Sequence, residues 1–227
     1  MNLLAMDTAC GACSAAVWAD GAIAATRSRV MQRGHVEMLL PMTISVMDEA
    51  GLAFDALDLI AVTNGPGSFT GLRTGLAAAR GLALARGLPL VAVTTLEAVA
   101  TAAAPEDPSM TILAAIETRR ADLYVQAFSA TMEPLDDPRA LSPAAAAALA
   151  GTRLTVLSGD GADRVLEAWR ANPAGGEPVI ASRAGPDAAI IARIAAAPSR
   201  PRGVGIAPLY LHPPEAKRPA AGGRLRP

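Results

Sequence analysis

Asp7 is the first residue of the chain that could do chemistry. It ends the apolar run Leu3-Leu4-Ala5-Met6 and precedes the turn-like residues Thr8 to Gly11. A strand that breaks into a turn in this way can cradle phosphate with backbone N–H groups, and its acid can hold a metal or a water. The same Asp can equally cap the turn by bonding local backbone. A second candidate is Gly65-Pro66-Gly67-Ser68-Phe69-Thr70-Gly71-Leu72-Arg73-Thr74-Gly75. Gly65 and Gly67 permit close backbone approach, Ser68 is placed to cap a helix whose N-terminus favours anions, and Arg73 follows one turn later. Nucleotide or phosphate contact through Asp7, Thr8, Gly65, Gly67, Ser68 and Arg73 is one reading of these segments; a plain strand-to-helix turn is the other. Gly71, Gly75 and Ala79 stand four apart on one ridge. Such a ridge admits a close neighbour, either the chain's own sheet or another helix.

The other reactive residues exclude more than they offer. Cys10-Gly11-Ala12-Cys13 has redox spacing, but a redox pair needs its first Cys at a helix N-terminus, and this one falls in a hairpin. Cys13 reads better as a small buried residue. His35 has Leu39 at i+4, so no helical His pair for a metal exists, and His212 lies in a Pro-rich tail. With two Cys and two His in all, no zinc module and no disulfide scaffold can be built. The single lysine, Lys217, is followed by Arg218, which rules out a lysine phosphate loop. No nucleophile elbow surrounds Ser68. Asp136-Asp137 read as solvated loop acids, and Asp160 and Asp163 flank a Gly-rich turn where a ligand role is conceivable.

Composition narrows the class further. The 227 residues carry 20 basic against 21 acidic groups, a net charge of −1, which gives no electrostatic footprint for autonomous nucleic-acid binding. Only 3% are aromatic, which argues against stacking platforms for single strands. No uncharged stretch reaches the ~18 residues of a membrane span. The first basic residue is Arg27, so no signal-peptide n-region is expected. The expectation is a cytoplasmic protein with no membrane contact.

The elements that must position these residues follow from patterning. Leu3–Met6, Ser14–Trp18 and Ile23–Val30 read as an antiparallel meander, with Asp20-Gly21 as a hairpin turn. A helix is expected over 35–50, with Val36, Leu39, Leu40, Val46, Met47 and Ala50 as its core face. Pro41 implies a kink or a start nearer residue 38. Its opposite face would carry Met38, Met42, Ser45 and Glu49, suited to a partner groove or to a core shifted by the kink. Strands follow at 59–63 and 90–93, with a helix from Ser68 to Arg86 stopped by Gly87. Thr94 and Glu97 make a capping box for a helix to about 103. After a linker at 105–108, strands are expected at 111–116, 123–128 and 154–157, and helices at 142–149, 162–170 and 186–197. Leu4-Ala5-Met6-Asp7-Thr8 is echoed by Ala114-Ala115-Ile116-Glu117-Thr118, each at the start of one half, which points to two related lobes. The division expected is 1–104, 109–200 and a tail 201–227 whose last ten residues are disordered.

Several segments resemble the TsaB family, also called YeaZ, of the TsaD-like superfamily: Leu3 to Thr8, Ala12 to Val17, Gly34 to Pro41, Asn64 to Gly75 and Val93 to Ala100, with Ala207 to Leu211 and Glu215-Ala216-Lys217 in the tail. The resemblance implies an α/β, two-lobed actin-like fold of the sugar kinase, Hsp70 and actin class, each lobe a mixed sheet with helices. It implies a non-catalytic role in forming N6-threonylcarbamoyladenosine in tRNA, beside the anticodon. The partners implied are a TsaD-like transferase, which carries a metal on a His pair, and a TsaE-like ATPase. A homodimer would form when the transferase is absent, and tRNA would be met only through the complex. No cofactor is expected, with ATP or ADP bound at most weakly or at a subunit interface. Helices 35–50 and 68–86 would bundle with the transferase through His35, Met38, Met42, Leu72, Gly75, Leu76 and Ala79. One departure is the run Glu117-Thr118-Arg119-Arg120-Ala121-Asp122-Leu123-Tyr124, where the family more often shows Asp-Ala-Arg-Arg and a Glu before the aromatic. No second phosphate loop is evident. The rival reading is a small actin-like ATP-dependent kinase or ATPase using Asp7, the Gly65–Ser68 loop and Asp160.

Overall fold

The computed structural model describes residues 1–151, 155–203 and 206–212. The expected disorder of the last ten residues, and Glu215-Ala216-Lys217, lie outside the described residues. The opening meander forms: β1 (Leu3–Asp7) pairs antiparallel with β2 (Ala12–Ala19), and β2 with β3 (Ala22–Val30). Asp20 and Gly21 take φ of 51° and 82°, the left-handed pair that a two-residue hairpin needs. β4 (Leu59–Thr63) joins β1 in parallel and β5 (Leu90–Val93) joins β4, giving the order β3-β2-β1-β4-β5. Every residue of β1 and β4 is buried. Both read as apolar runs without alternation because helices cover both faces of this sheet.

The second half repeats the plan. β6 (Thr111–Glu117), β7 (Leu123–Ser129), β8 (Arg139–Leu141), β9 (Thr155–Ser158) and β10 (Val179–Ser182) take the order β10-β9-β6-β7-β8. Counted from its own first strand, each sheet runs 3-2-1-4-5. The echo between Leu4–Thr8 and Ala114–Thr118 is therefore structural: β1 and β6 are the central strands of two topologically equal sheets. This is the two-lobed actin-like α/β architecture. β8 and β10 were not expected from sequence. They are edge strands of three and four residues without a buried residue, so no hydrophobic alternation marks them.

Among the described residues six α-helices dress the sheets: α1 (His35–Glu49), α2 (Phe69–Arg86), α3 (Thr95–Thr101), α4 (Pro143–Ala150), α5 (Ala162–Ala171) and α6 (Ala188–Ala196). Ser68, Thr94 and Ser142 cap α2, α3 and α4 through their side-chain oxygens. α1 begins at His35 and continues through Pro41, which sits on its exposed side. One face of the first sheet packs Leu4, Met6, Val17 and Ile60 on Leu39, Val46 and Met47 of α1 and Leu76 of α2. Its other face packs Leu3, Leu59 and Val91 on Ala188, Ile191, Ala192 and Ala195 of α6. In the second sheet, α4 and α5 cover Leu113, Val125 and Leu157, while Leu96, Val99 and Ala100 of α3 cover Ile112, Ile116 and Phe128. Each half thus sends its last helix to the other half's sheet. The division at 104 and 109 separates the two sheets, while α3 and α6 pack across it.

Candidate functional site

A cleft of about 1360 Å³ lies between the lobes. Cys10, Gly67, Phe69 and Arg73 line it from the first lobe, and Glu117 and Asp160 from the second. Asp7 and Thr8 do not line it. Both are buried, and their polar groups are turned to the chain itself. Thr63 Oγ1 and the Ala9 N–H (3.1 Å) donate to Asp7 Oδ1, while Oδ2 lacks a partner. Burial is the main cause that pushes the Asp7 carboxyl up to about 7, opposed by the Thr63 and Ala9 hydrogen bonds and assisted by the charge of Asp187.

The glycines of the 65–75 segment are explained by what lies against them. A Cβ on Gly65 would stand 2.6 Å from Leu209 O, on Gly67 2.5 Å from Ala9 O, and on Gly75 2.8 Å from Thr8 Oγ1. On Gly71 it would overlap Thr8 O. The Ser68 N–H donates to Ala9 O (2.7 Å), the Gly71 N–H to Ser68 Oγ (3.4 Å), and Thr8 Oγ1 to Gly71 O (2.7 Å). The first turn of α2 and the β1–β2 turn are therefore clamped together. Asp7, Thr8 and Gly65 are buried in this clamp, while Gly67 packs on Ala9 and also lines the cleft. Ser68 caps the helix. Arg73 is exposed, with its guanidinium 3.8 Å over the Phe69 ring and its Nε–H donating to Tyr210 Oη (3.2 Å).

The ridge of α2 turns inward. Leu72, Gly75, Leu76 and Ala79 are all buried, at most 2% exposed for the three with side chains, and Gly75 meets Thr8 and Val62 of the sheet. The expectation that these four face a partner is corrected: the chain's own strands are the close neighbour that the small residues admit. Met42 is likewise core, Met38 is half-buried against it, and His35 is half-buried at the start of α1 with Nε2 unpartnered. The phase of α1 differs from the expected one. Its buried face is Leu39, Met42, Thr43, Val46 and Met47, so Val36 and Leu40 point outward. Val36, Leu40 and Ile44 are 60%, 49% and 50% exposed at spacing i, i+4, i+8. They form an apolar stripe on the outside, beside α2, where Phe69 and Leu84 are also exposed. Val36 and Leu40, expected on the core face, belong to this outer stripe instead.

The remaining candidates fall into place. Cys13 is buried in the first core with its thiol pushed up to about 11, mainly by burial, and burial pushes the Cys10 thiol up as well, so neither has thiolate character. Asp160 Oδ1 accepts the Glu117 N–H (2.9 Å), and burial raises its carboxyl. Asp163 pairs with Arg183. Asp136 is not merely solvated: Oδ1 accepts the Ala127 N–H (2.8 Å) of β7 and Oδ2 pairs with Arg139. Thr94 accepts from the Glu97 N–H (3.1 Å), but the Glu97 carboxylate serves Arg200 in a bidentate pair. Sequence reasoning missed His212, whose partners Tyr124 and Asp122 lie some 90 positions away. Among the described residues, no three of His, Cys, Asp or Glu converge on a point that could hold a metal, and no helix is long and apolar enough to cross a membrane.

Comparison with known proteins adds the relationship. Residues 27–157 match the family model "TsaD: tRNA N6-adenosine threonylcarbamoyltransferase". The tRNA threonylcarbamoyladenosine biosynthesis protein TsaB of Escherichia coli is 32% identical over 124 residues, 55% of this chain and 53% of that protein. The match thus spans about half the length of the curated TsaB relatives. A tRNA N6-adenosine threonylcarbamoyltransferase of Trichlorobacter lovleyi is 34% identical over 96 residues, 35% of this chain and 28% of that protein. The solved structure of YeaZ from Pseudomonas aeruginosa is 30% identical, with a TM-score of 0.75 over 92% of this chain and 99% of that one. The likeness to YeaZ extends over nearly the whole of that structure, and the chain belongs to the TsaB (YeaZ) family.

Proposed function

We propose that this chain is a non-catalytic partner subunit in the biosynthesis of N6-threonylcarbamoyladenosine in tRNA, docking a TsaD-like paralogue through the outer face of α1 and α2. The observation that carries the reading is the exposed stripe Val36, Leu40 and Ile44 along α1. An isolated soluble surface rarely shows aliphatic residues repeating along one helical line, and such a face suits a helix of similar character. Family membership and the likeness to a transferase supply the partner's kind: a protein of related fold would present an equivalent helix pair, giving a four-helix contact. A second copy of this chain is the competing occupant, and a TsaE-like ATPase would join as a third subunit. The near-neutral charge favours tRNA contact through the complex. A catalytic role has little support in these residues, since Leu39 stands where a second histidine would be needed and Asp7 is sealed from the cleft.

Light scattering after chromatography tests this. The chain alone should run as a homodimer and convert to a one-to-one complex when mixed with the transferase. Leu40→Glu or Ile44→Glu should abolish both associations while leaving far-UV circular dichroism and thermal melting intact. Undiminished complex formation by both variants would refute the docking face. A purified chain that hydrolyses ATP by itself, and loses this with Asp7→Ala, would favour the kinase reading instead.

A further inference from the structure

Residues 206–212 start on the first lobe and finish on the second. Ile206 O accepts from Arg80 Nη2 (2.8 Å), Ala207 O from Asn64 Nδ2 (3.2 Å), and the Leu209 N–H donates to Asn64 O (2.7 Å). Gly65 is bare of a side chain beneath Leu209 O. Tyr210 then lies 5.4 Å from the Phe69 ring and accepts from Arg73. Two residues later the chain is held by the other lobe. Leu211 packs into the cluster of Ile116, Tyr124 and Phe128, and both ring nitrogens of His212 are engaged. Nδ1 stands 2.8 Å from Tyr124 Oη and Nε2 stands 2.6 Å from Asp122 Oδ2.

The chemistry of the acid sets the direction of one of these bonds. Burial tends to raise the Asp122 carboxyl, but hydrogen bonds from Thr118 and His212 outweigh it and hold it below the usual range, so it accepts from Nε2–H. Burial raises the Tyr124 phenol, whose Oη pairs with Nδ1. Thr118 Oγ1 (2.7 Å) holds the other oxygen of Asp122 in place. A single imidazole is thus fixed at both ends by the β6–β7 hairpin region of the second lobe. The segment contains no helix or strand, so contacts of this kind, with the packing of Ile206 on the first core, keep it across the gap.

We propose that residues 206–212 are a latch that holds the two lobes closed over the cleft, with His212 as its pin. The latch is a property of this chain by itself and does not depend on the docking face above. Cys10 provides a built-in reporter, because it lines the cleft and packs in the same cluster as Leu211, whereas Cys13 is fully buried in the first core.

The test is maleimide labelling of the full chain under native conditions, read by mass spectrometry for each cysteine. His212→Ala removes two hydrogen bonds, one to a charged group, and should speed Cys10 labelling about tenfold or more. Cys13 should stay unreactive. Tyr124→Phe removes one bond and should give a smaller rise. Hydrogen exchange of the Leu209 amide should accelerate in step, since releasing the pin frees the strap from Asn64. Unchanged Cys10 labelling and unchanged Leu209 exchange in both variants would overturn the proposal. Should Cys13 also label in His212→Ala, that variant has unfolded and Tyr124→Phe decides alone: a selective Cys10 rise supports the latch, and none overturns it.

Discussion

Asp7 shows how a residue type that suggests chemistry can be spent on architecture. Its position at the end of a buried strand was legible; its isolation from the cleft was not, because that depends on a clamp formed with residues 56 to 64 positions away. The raised carboxyl has a thermodynamic consequence. Its folded value of about 7 lies above the ordinary 3.8, so between these values the native state holds a proton that the unfolded state has lost. Stability must therefore fall as pH rises through that window, by on the order of 4 kcal/mol if the whole shift is expressed. Asp7→Asn removes the titration while keeping an acceptor for Thr63 and Ala9. Thermal melts of the wild type should fall between pH 5 and pH 8.5 by more than those of the variant; equal falls would show that Asp7 is not the titrating group. The glycines carry the matching steric lesson. Only a missing side chain at Gly71 lets α2 reach Thr8 O, so Gly71→Ala should cost about 1–3 kcal/mol in urea unfolding by overpacking, even though alanine is the better helix former.

At the scale of elements, the sequence spoke clearly wherever a local rule decided the outcome. Ser68, Thr94 and Ser142 announced their helices because capping is settled within three residues. β1 and β4 announced themselves as apolar runs. β8 and β10 did not, since a short exposed edge strand exists only through its neighbour's backbone. α1 was found but rotated: it carries two apolar stripes, and periodicity alone cannot say which meets the sheet. Leu39, Met42, Val46 and Met47 win because they can pack with Met6, Val17 and Ile60, which leaves Val36, Leu40 and Ile44 outside. For α2 the small-residue ridge was legible and its neighbour was not. Leu76 and Leu40 now form a contrast within one residue type. Leu76→Ala should destabilise the isolated chain by about 2–5 kcal/mol, as for a truncated core leucine. Leu40→Ala should stay within about 0.5 kcal/mol, as for a surface position. Urea titrations of both variants at a concentration low enough to keep the chain monomeric measure this directly, and comparable losses for the two would invert the assignment of inside and outside.

The molecule as a whole is less divisible than its repeat suggests. A duplicated order of strands invites a cut between the halves, and the Pro-bounded stretch 105–108 marks the place in the sequence. The packing denies it, because α3 finishes the second core and α6 finishes the first. A fragment of residues 1–108 would hold its complete first sheet, yet Leu3, Ala5, Leu59, Ala61, Val91 and Val93 would lose the cover of Ile191 and its alanine neighbours. The same fragment would expose Leu96, Val99 and Ala100, which have no partners without β6 and β7. Uncovering apolar surface on both counts removes a large part of the main favourable term in folding. The fragment should therefore bind a hydrophobic dye and melt without a cooperative transition. Adding a peptide spanning residues 186–203 should restore part of the cooperativity, since it returns α6 and the Arg200 that pairs with Glu97. The intact chain should melt in one step, with calorimetric and van't Hoff enthalpies equal. Two resolved transitions, or a fragment that folds cooperatively without the peptide, would mean that the exchanged helices decorate two independent domains rather than weld them into one.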